Sequence, residues 1–205
     1  MTEFGYRPVQ RILKRAFDLV VAGGVMIVGL PLFAALTVWL RWQQGAPVFF
    51  FQERIGRGGR RFRMVKLRTM TRHVGIGVTA RDDPRITRWG AVYRRYRLDE
   101  WPEFLHVFTG RMSLVGPRPE LPRFVDRYSK PAHRLLTLQP GLTDPATLEG
   151  LDEEDALASS STPERTYIEE LMPAKLERSL AYYRRPSFWG DVSILMRTVG
   201  ALLVR

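Results

Sequence analysis

The hydrophobic pattern of the chain is dominated by one run, "LVVAGGVMIVGLPLFAALTVWL", Leu19 to Leu40, which carries no charged residue. As a helix it would measure roughly 33 Å, about the thickness of one hydrocarbon core. No small-residue cleavage site ends the run, so it does not read as a cleavable signal peptide; a buried core helix is the soluble alternative. Pro31 interrupts the run and removes a helical hydrogen bond, which predicts a kink there. Arg11, Lys14 and Arg15 precede the run and Arg41 follows it, so positive charge favours neither end as the inner one. A helix that bends at Pro31, enters one leaflet and returns to its own side accounts for both facts. A spanning helix is the alternative. Asp18, at the edge of the run, is expected at the interface beside Lys14 or Arg15, or as an ordinary helix-end acid.

Downstream the periodicity shortens. Val48 to Phe51 is β-prone, Gly56 to Gly59 reads as a turn, and "RFRMVKLR" alternates, which together predict a β-hairpin. Asp82-Asp83-Pro84 reads as a turn or helix start, and Trp89 to Arg97 as a short helix. Trp101, Phe104, Leu105 and Phe108 recur at helical spacing, with Asp99 where an N-cap would stand. The end of the chain, "YYRRPSFWGDVSILMRTVGALLVR", mixes basic, aromatic and aliphatic residues; it fits a helix lying in a membrane interface or one packed on a core. The pattern predicts a mostly helical α+β fold with a small β-hairpin, in two parts. Residues 1–45 form the membrane helix and residues 46–205 the remaining domain.

Charge changes this picture. The net charge is +11 and there is no cysteine. That excludes disulfides and thiolate metal sites and points to anionic partners such as phosphates, acidic lipid or nucleic acid. From Arg54 to Arg72 there are eight Lys/Arg and no acid. Beside a membrane segment, acidic lipid or a phosphorylated substrate is as natural a partner for such a hairpin as nucleic acid. His73, His106 and His133 lack ligand-like spacing. Acids gather in two places. "LDEEDALASSS" lacks apolar anchoring, so Asp152 to Asp155 reads as surface. Asp99-Glu100 fits either a helix start or a catalytic pair. In "VGPRPE", prolines flank Arg118 and fix the backbone that carries its guanidinium, while Gly116 permits a close approach. "LQPGLTDP" offers a second rigid turn, with Gly141 able to take positive φ.

In order, "KRAFD", a Pro-kinked apolar helix, "PVFFFQERIGRGGRRFRMVKLRTM", "RLDEWPEFLHVFTGRMSLVGPRPE" and "LQPGLTDPA" resemble the bacterial sugar transferase family. These are the monotopic polyprenyl-phosphate phosphoglycosyl transferases, here in a minimal catalytic form. The likeness runs from Lys14 to Arg197 and rests on the ordered set, since each motif alone is common. It implies transfer of a sugar-1-phosphate from a UDP-sugar to a polyprenyl (undecaprenyl) phosphate, starting a cell-surface glycan. The reaction would pass through a covalent aspartyl intermediate and release UMP. It implies Asp99 as nucleophile and Glu100 as its partner, both as ligands of Mg2+. It also implies Arg118, Lys66, Arg68 and Arg94 as substrate-phosphate contacts, and Gln52 and Arg54 as structural residues. Asp191 would be an ion-pair partner. The implied place is the cytoplasmic face of a bacterial inner membrane, with membrane lipids as partners and no nucleic acid.

Two departures stand out. Leu30-Pro31 replaces the Ser-Pro of many members, and "QPGLTDPATLEG" replaces "RPGITGWAQVNGR", with Gln139 where those have arginine. The donor sugar therefore does not carry over. A rival reading, a membrane-anchored basic module for nucleic acid or acidic lipid, explains the charge but not Asp99-Glu100 or "GPRPE".

Overall fold

The computed structural model describes residues 4–71, 78–149 and 153–204, with the side chains of Glu149 and Glu154 excepted. Arg72, His73 and Asp152 lie outside them. Helix α1 spans Pro8–Gln44, with proline in its first turn, Arg41 in its last and Gly45 at φ 68° ending it. It stays helical through Pro31, so the proline removes one hydrogen bond without terminating the helix. Its most apolar stretch has a mean hydropathy of 2.4, and few of its residues are fully buried.

The predicted hairpin is present. Strands β1, Phe49–Ile55, and β2, Arg61–Leu67, pair antiparallel from Phe49 opposite Leu67 to Ile55 opposite Arg61. Helix α2, Arg88–Arg95, follows, capped by the Thr87 hydroxyl, which accepts from the Gly90 amide at 2.9 Å. A 3₁₀ turn, Leu98–Glu103, leads into the short α3, Phe104–Phe108, and then β3, Ser113–Val115. Strand β4, Gly141–Thr143, pairs parallel to β3. Gly116 and Gly141 are required where these strands meet. A Cβ on Gly141 would stand 2.1 Å from the Gly116 amide nitrogen, and one on Gly116 2.3 Å from the Gln139 carbonyl oxygen. Close approach, rather than the expected positive φ, is what Gly141 supplies. The C-terminal part is helical: α4 Pro122–Val125, α5 Pro145–Glu149, α6 Glu153–Ala158, α7 Pro163–Thr166, α8 Met172–Tyr183 and α9 Phe188–Leu203.

Helix α1 is packed against the rest of the chain along most of its length. Near its start, Lys14 pairs with Asp191 of α9 at 2.7 Å. Ala22 then enters a core with Val107, Met112, Leu114 and Ile194. Further on, Phe33 stacks on Trp101 with ring centres 4.1 Å apart, and Leu40 is buried with Leu67 and Tyr93. Asp18 is not at an interface. It is 2% exposed and accepts from the Ser113 hydroxyl at 2.7 Å and the Leu114 amide at 3.1 Å, so it fastens β3 to α1. Burial pushes its pKa up, against the lowering by Lys14 and these two donors. Asp191 is an ion-pair partner, as expected, and also accepts from the Tyr6 and Tyr182 hydroxyls. In α9, Trp189, Met196, Val199 and Leu203 face outward while Ile194 is buried, so the helix serves the core on one side and carries exposed apolar residues on the other.

Candidate active site

The 3₁₀ turn Leu98–Glu103 carries the acids. It is entered through Arg97, a non-glycine residue in the left-handed region at φ 52°, ψ 27°, a conformation that costs about 1 kcal/mol or more and persists only where the surroundings hold it. Asp99 is therefore not the cap that its position in the sequence suggested; it lies inside the turn. In a 3₁₀ helix, residues three apart eclipse one another and adjacent ones diverge by about 120°. Glu100 and Glu103 thus share a face, while Asp99 projects elsewhere.

Three cations converge on Glu100. Lys66 Nζ donates to Oε1 at 2.7 Å, Arg118 Nη2 to the same oxygen at 3.1 Å, and Arg97 Nη1 to Oε2 at 3.2 Å. Burial alone would raise the Glu100 pKa; the attraction of Lys66, Arg118 and Arg97 outweighs it and holds the carboxyl well below its usual range. Glu100 by itself balances one of these three positive charges; Glu103 and Asp99 are the other acids of the cluster. Lys66 is shared: its Nζ lies 3.3 Å from Glu103 Oε1, an oxygen with no hydrogen-bond partner among the described residues. Burial pushes Glu103 up to about 7, opposed by Lys66 and reinforced by Glu100.

Asp99 is in the opposite condition. It is 7% exposed, and no side chain among the described residues donates a hydrogen bond to it. Burial raises its pKa, with Lys66 and Arg94 pulling against that and Glu100 adding to it. The result is a poorly hydrated carboxylate beside a cation-rich one.

Each cation is positioned by a different element. Lys66 comes from β2, with its neighbour Leu67 sunk into the core beneath α1. Arg118 sits between two prolines at the end of β3, where the Gly116 amide donates to Thr143 O and the Gly141 amide to Pro117 O. Below it, half-buried Arg54 donates to Gln52 Oε1 at 2.7 Å and to Pro119 O at 3.1 Å, which makes Arg54 and Gln52 the structural props expected of them. Glu120 lies 3.7 Å from Arg54 and accepts from the Tyr167 hydroxyl. Trp101 docks the turn onto α1; a Cβ on Gly29 would stand 2.8 Å from its indole nitrogen.

Of the residues expected at a site, Asp99, Glu100, Lys66 and Arg118 are brought together. Arg94 acts on Asp99 through its charge, with Nη1 4.0 Å from Met70 Sδ. Arg68 donates to the carbonyls of Gln44 and Gly45 at 2.6 and 3.1 Å, closing the end of α1. Arg97 and Glu103 were missed by reading the stretch as an α-helix. A 3₁₀ reading, with period three, would have paired Arg97 and Glu103 with Glu100. Gln139, which stands at a departure in the loop before β4, donates to Gly110 O at 2.6 Å; Asp144 there caps α5 by accepting from the Thr147 amide. In the acidic stretch, Glu153 pairs with Lys175 and Asp155 with Arg81.

A family model described as bacterial sugar transferase matches residues 9–205. The chain is 32% identical over 202 residues to a UDP-N-acetylgalactosamine-undecaprenyl-phosphate N-acetylgalactosaminephosphotransferase of Aeromonas hydrophila, covering 96% of this chain and 45% of that protein. It is 35% identical over 201 residues to a UDP-glucose:undecaprenyl-phosphate glucose-1-phosphate transferase of Xanthomonas campestris pv. campestris, covering 94% and 39%. A protein of the same description from Caulobacter vibrioides is 34% identical over 196 residues, covering 93% and 69%. The chain thus spans less than half the length of the first two relatives.

Proposed function

The chain belongs to the bacterial sugar transferase family, and from that premise we propose that it moves a sugar-1-phosphate from a UDP-sugar to undecaprenyl phosphate. The observation that carries this reading is the convergence of Lys66, Arg97 and Arg118 on Glu100 beside buried Asp99, which forms no ion pair among the described residues. A carboxylate attacking a diphosphate meets like-charge repulsion, which surplus fixed cations offset. Desolvation makes Asp99 the more basic of the two acids and, once ionised, the stronger nucleophile.

In the first step an Asp99 oxygen bonds to the phosphorus that bears the sugar, and the bond to the bridging oxygen breaks. UMP leaves with that electron pair. In the second, an oxygen of undecaprenyl phosphate attacks the same phosphorus and Asp99 is released. Arg118 and Lys66 hold the phosphates, while Glu100 keeps the three cations together between steps.

Hard oxygen donors suit magnesium, and among the described residues no cation is bonded to Asp99, whereas both Glu100 oxygens are engaged. Among the described residues no three acidic or histidine side chains form a metal cage, so Asp99 with substrate phosphate oxygens is the donor set that fits. Bound there, magnesium would neutralise phosphate charge as a Lewis acid.

The same reading places the protein on the cytoplasmic face of the inner membrane, with α1 re-entering on its own side. Its support is that α1 touches one and the same domain from Lys14 to Leu40, while its outward residues Val20, Ile27, Val28 and Leu32 stay exposed. A spanning helix would carry one end away from that domain.

The test is a panel of UDP-sugars incubated with purified protein and magnesium. The expected result is UMP release without acceptor, limited to one per protein molecule, and continuous turnover once undecaprenyl phosphate is added. Full turnover by Asp99→Asn would remove Asp99 as nucleophile.

A further inference from the structure

The hairpin has two faces, and its register separates them. Phe50 pairs with Lys66, Gln52 with Met64 and Arg54 with Phe62, and directly opposed residues of an antiparallel ladder project to the same side. That side serves the site. Lys66 binds Glu100 there, and Arg54 binds Pro119 O beside Arg118. Phe49 and Phe51 belong to the other side, where the Arg63 guanidinium lies 4.2 Å from the centre of the Phe51 ring. Phe50 is therefore the aromatic that stands next to the site lysine.

It is not covered by protein. Phe50 is 47% exposed, whereas Met64 and Leu67 on the paired strand are buried. It also lies at the end of β1 that follows α1, whose last two turns carry the exposed Trp39 and Trp42. Next to it on the same face of β1, Gln52 has its carbonyl oxygen taken by Arg54. The position thus offers charge on one side and apolar surface on the other, with little to satisfy a polar ring. Its complement is an amphiphile with an anionic head and a hydrocarbon chain.

We infer that the Phe50 ring is a contact for the isoprenoid chain of the acceptor, next to the phosphate held by Lys66 and Arg118. This rests on the transferase reading and names the residue through which that site takes a lipid phosphate. Phe50 is a binding residue; it takes no part in bond making.

The experiment measures binding of undecaprenyl phosphate in mixed micelles, with inorganic phosphate as the headgroup alone. Losing contact with about half of a phenylalanine side chain predicts that Phe50→Ala weakens undecaprenyl phosphate about tenfold and leaves inorganic phosphate unchanged. Phe50→Leu keeps most of the affinity, and Phe51→Ala, on the opposite face, loses none. Phe50→Gln repeats the loss should the alanine variant be unstable. In turnover the defect is confined to the acceptor-dependent step. Unchanged lipid affinity in Phe50→Ala and Phe50→Gln overturns the inference. So does an equal loss in Phe51→Ala, which would mark general bilayer contact, or slowed UMP release without acceptor, which would mark a nucleotide base on the ring. Protein that binds undecaprenyl phosphate through Phe50 but releases no UMP from any UDP-sugar supports this contact and overturns the transferase reading alone.

Discussion

Asp191 and Glu100 are both buried or half-buried carboxylates that gather cationic partners, and they end in opposite conditions. Asp191 has one cation, Lys14 at 2.7 Å, and the hydroxyls of Tyr6 and Tyr182 at 2.7 Å each. The group is neutral and satisfied, and it ties the start of α1 to α8 and α9. Glu100 has three cations, one of them on the partly exposed Arg118, and stands beside Asp99, which forms no ion pair among the described residues. A closed, neutral network holds the chain together. An open one, with Arg118 partly exposed, leaves a cation within reach of an anion.

The sharpest way to break this contrast is at Asp99. Asp99→Asn is expected to reduce turnover by about a thousandfold or more, while its thermal midpoint stays level or rises, because a desolvated charge has been removed. A matched fall in midpoint would place Asp99 among the structural acids. Next comes Arg118→Ala. UMP release should fall about a hundredfold, the usual effect of losing one preorganised charge donor; a loss confined to undecaprenyl phosphate affinity would reassign Arg118 to the acceptor alone.

On the structural side the order reverses. Asp191→Asn leaves Lys14 buried without its anion and should lower stability by about 3 kcal/mol, read as an earlier denaturant midpoint. The fraction still folded should release UMP at the normal rate, and a specific catalytic defect in it would contradict the division drawn here. Smallest is Glu53→Gln, which breaks an exposed pair with Arg61 whose side chains are 53% and 67% exposed. Stability should move by less than about 0.5 kcal/mol, and a larger shift would show that exposed pairs also support the hairpin.

Much of the site was legible because its signals are local. A proline on each side of Arg118, an alternating basic strand and an adjacent acid pair can be read without knowing what they touch. Asp18 and Arg68 were misread or left incomplete for the converse reason. Asp18 looks like an interfacial acid until β3, far along the chain, supplies Ser113 Oγ and the Leu114 amide. Arg68, expected at a substrate phosphate, also donates to carbonyls at the end of α1, a contact that no local pattern declares. Glu103 and Arg97 depended on a choice between helical periods that a stretch of six residues containing Pro102 does not declare.

The sequence by itself determined the apolar helix, the hairpin, the cationic bias and the presence of an adjacent acid pair, because composition and short-range period decide those. Only the tertiary structure decided which cations meet Glu100, that no side chain among the described residues donates a hydrogen bond to Asp99, and that Trp101 is sunk against α1. Those outcomes depend on where β2, the turn after α2 and the end of β3 come together. That convergence is set by packing of Leu67, Tyr93 and Leu40 in one core and Ala22, Val107 and Leu114 in another. Hydrophobic burial is non-directional, so a pattern of apolar positions states that these residues pack without stating against what, and the charges they carry into contact follow from the packing.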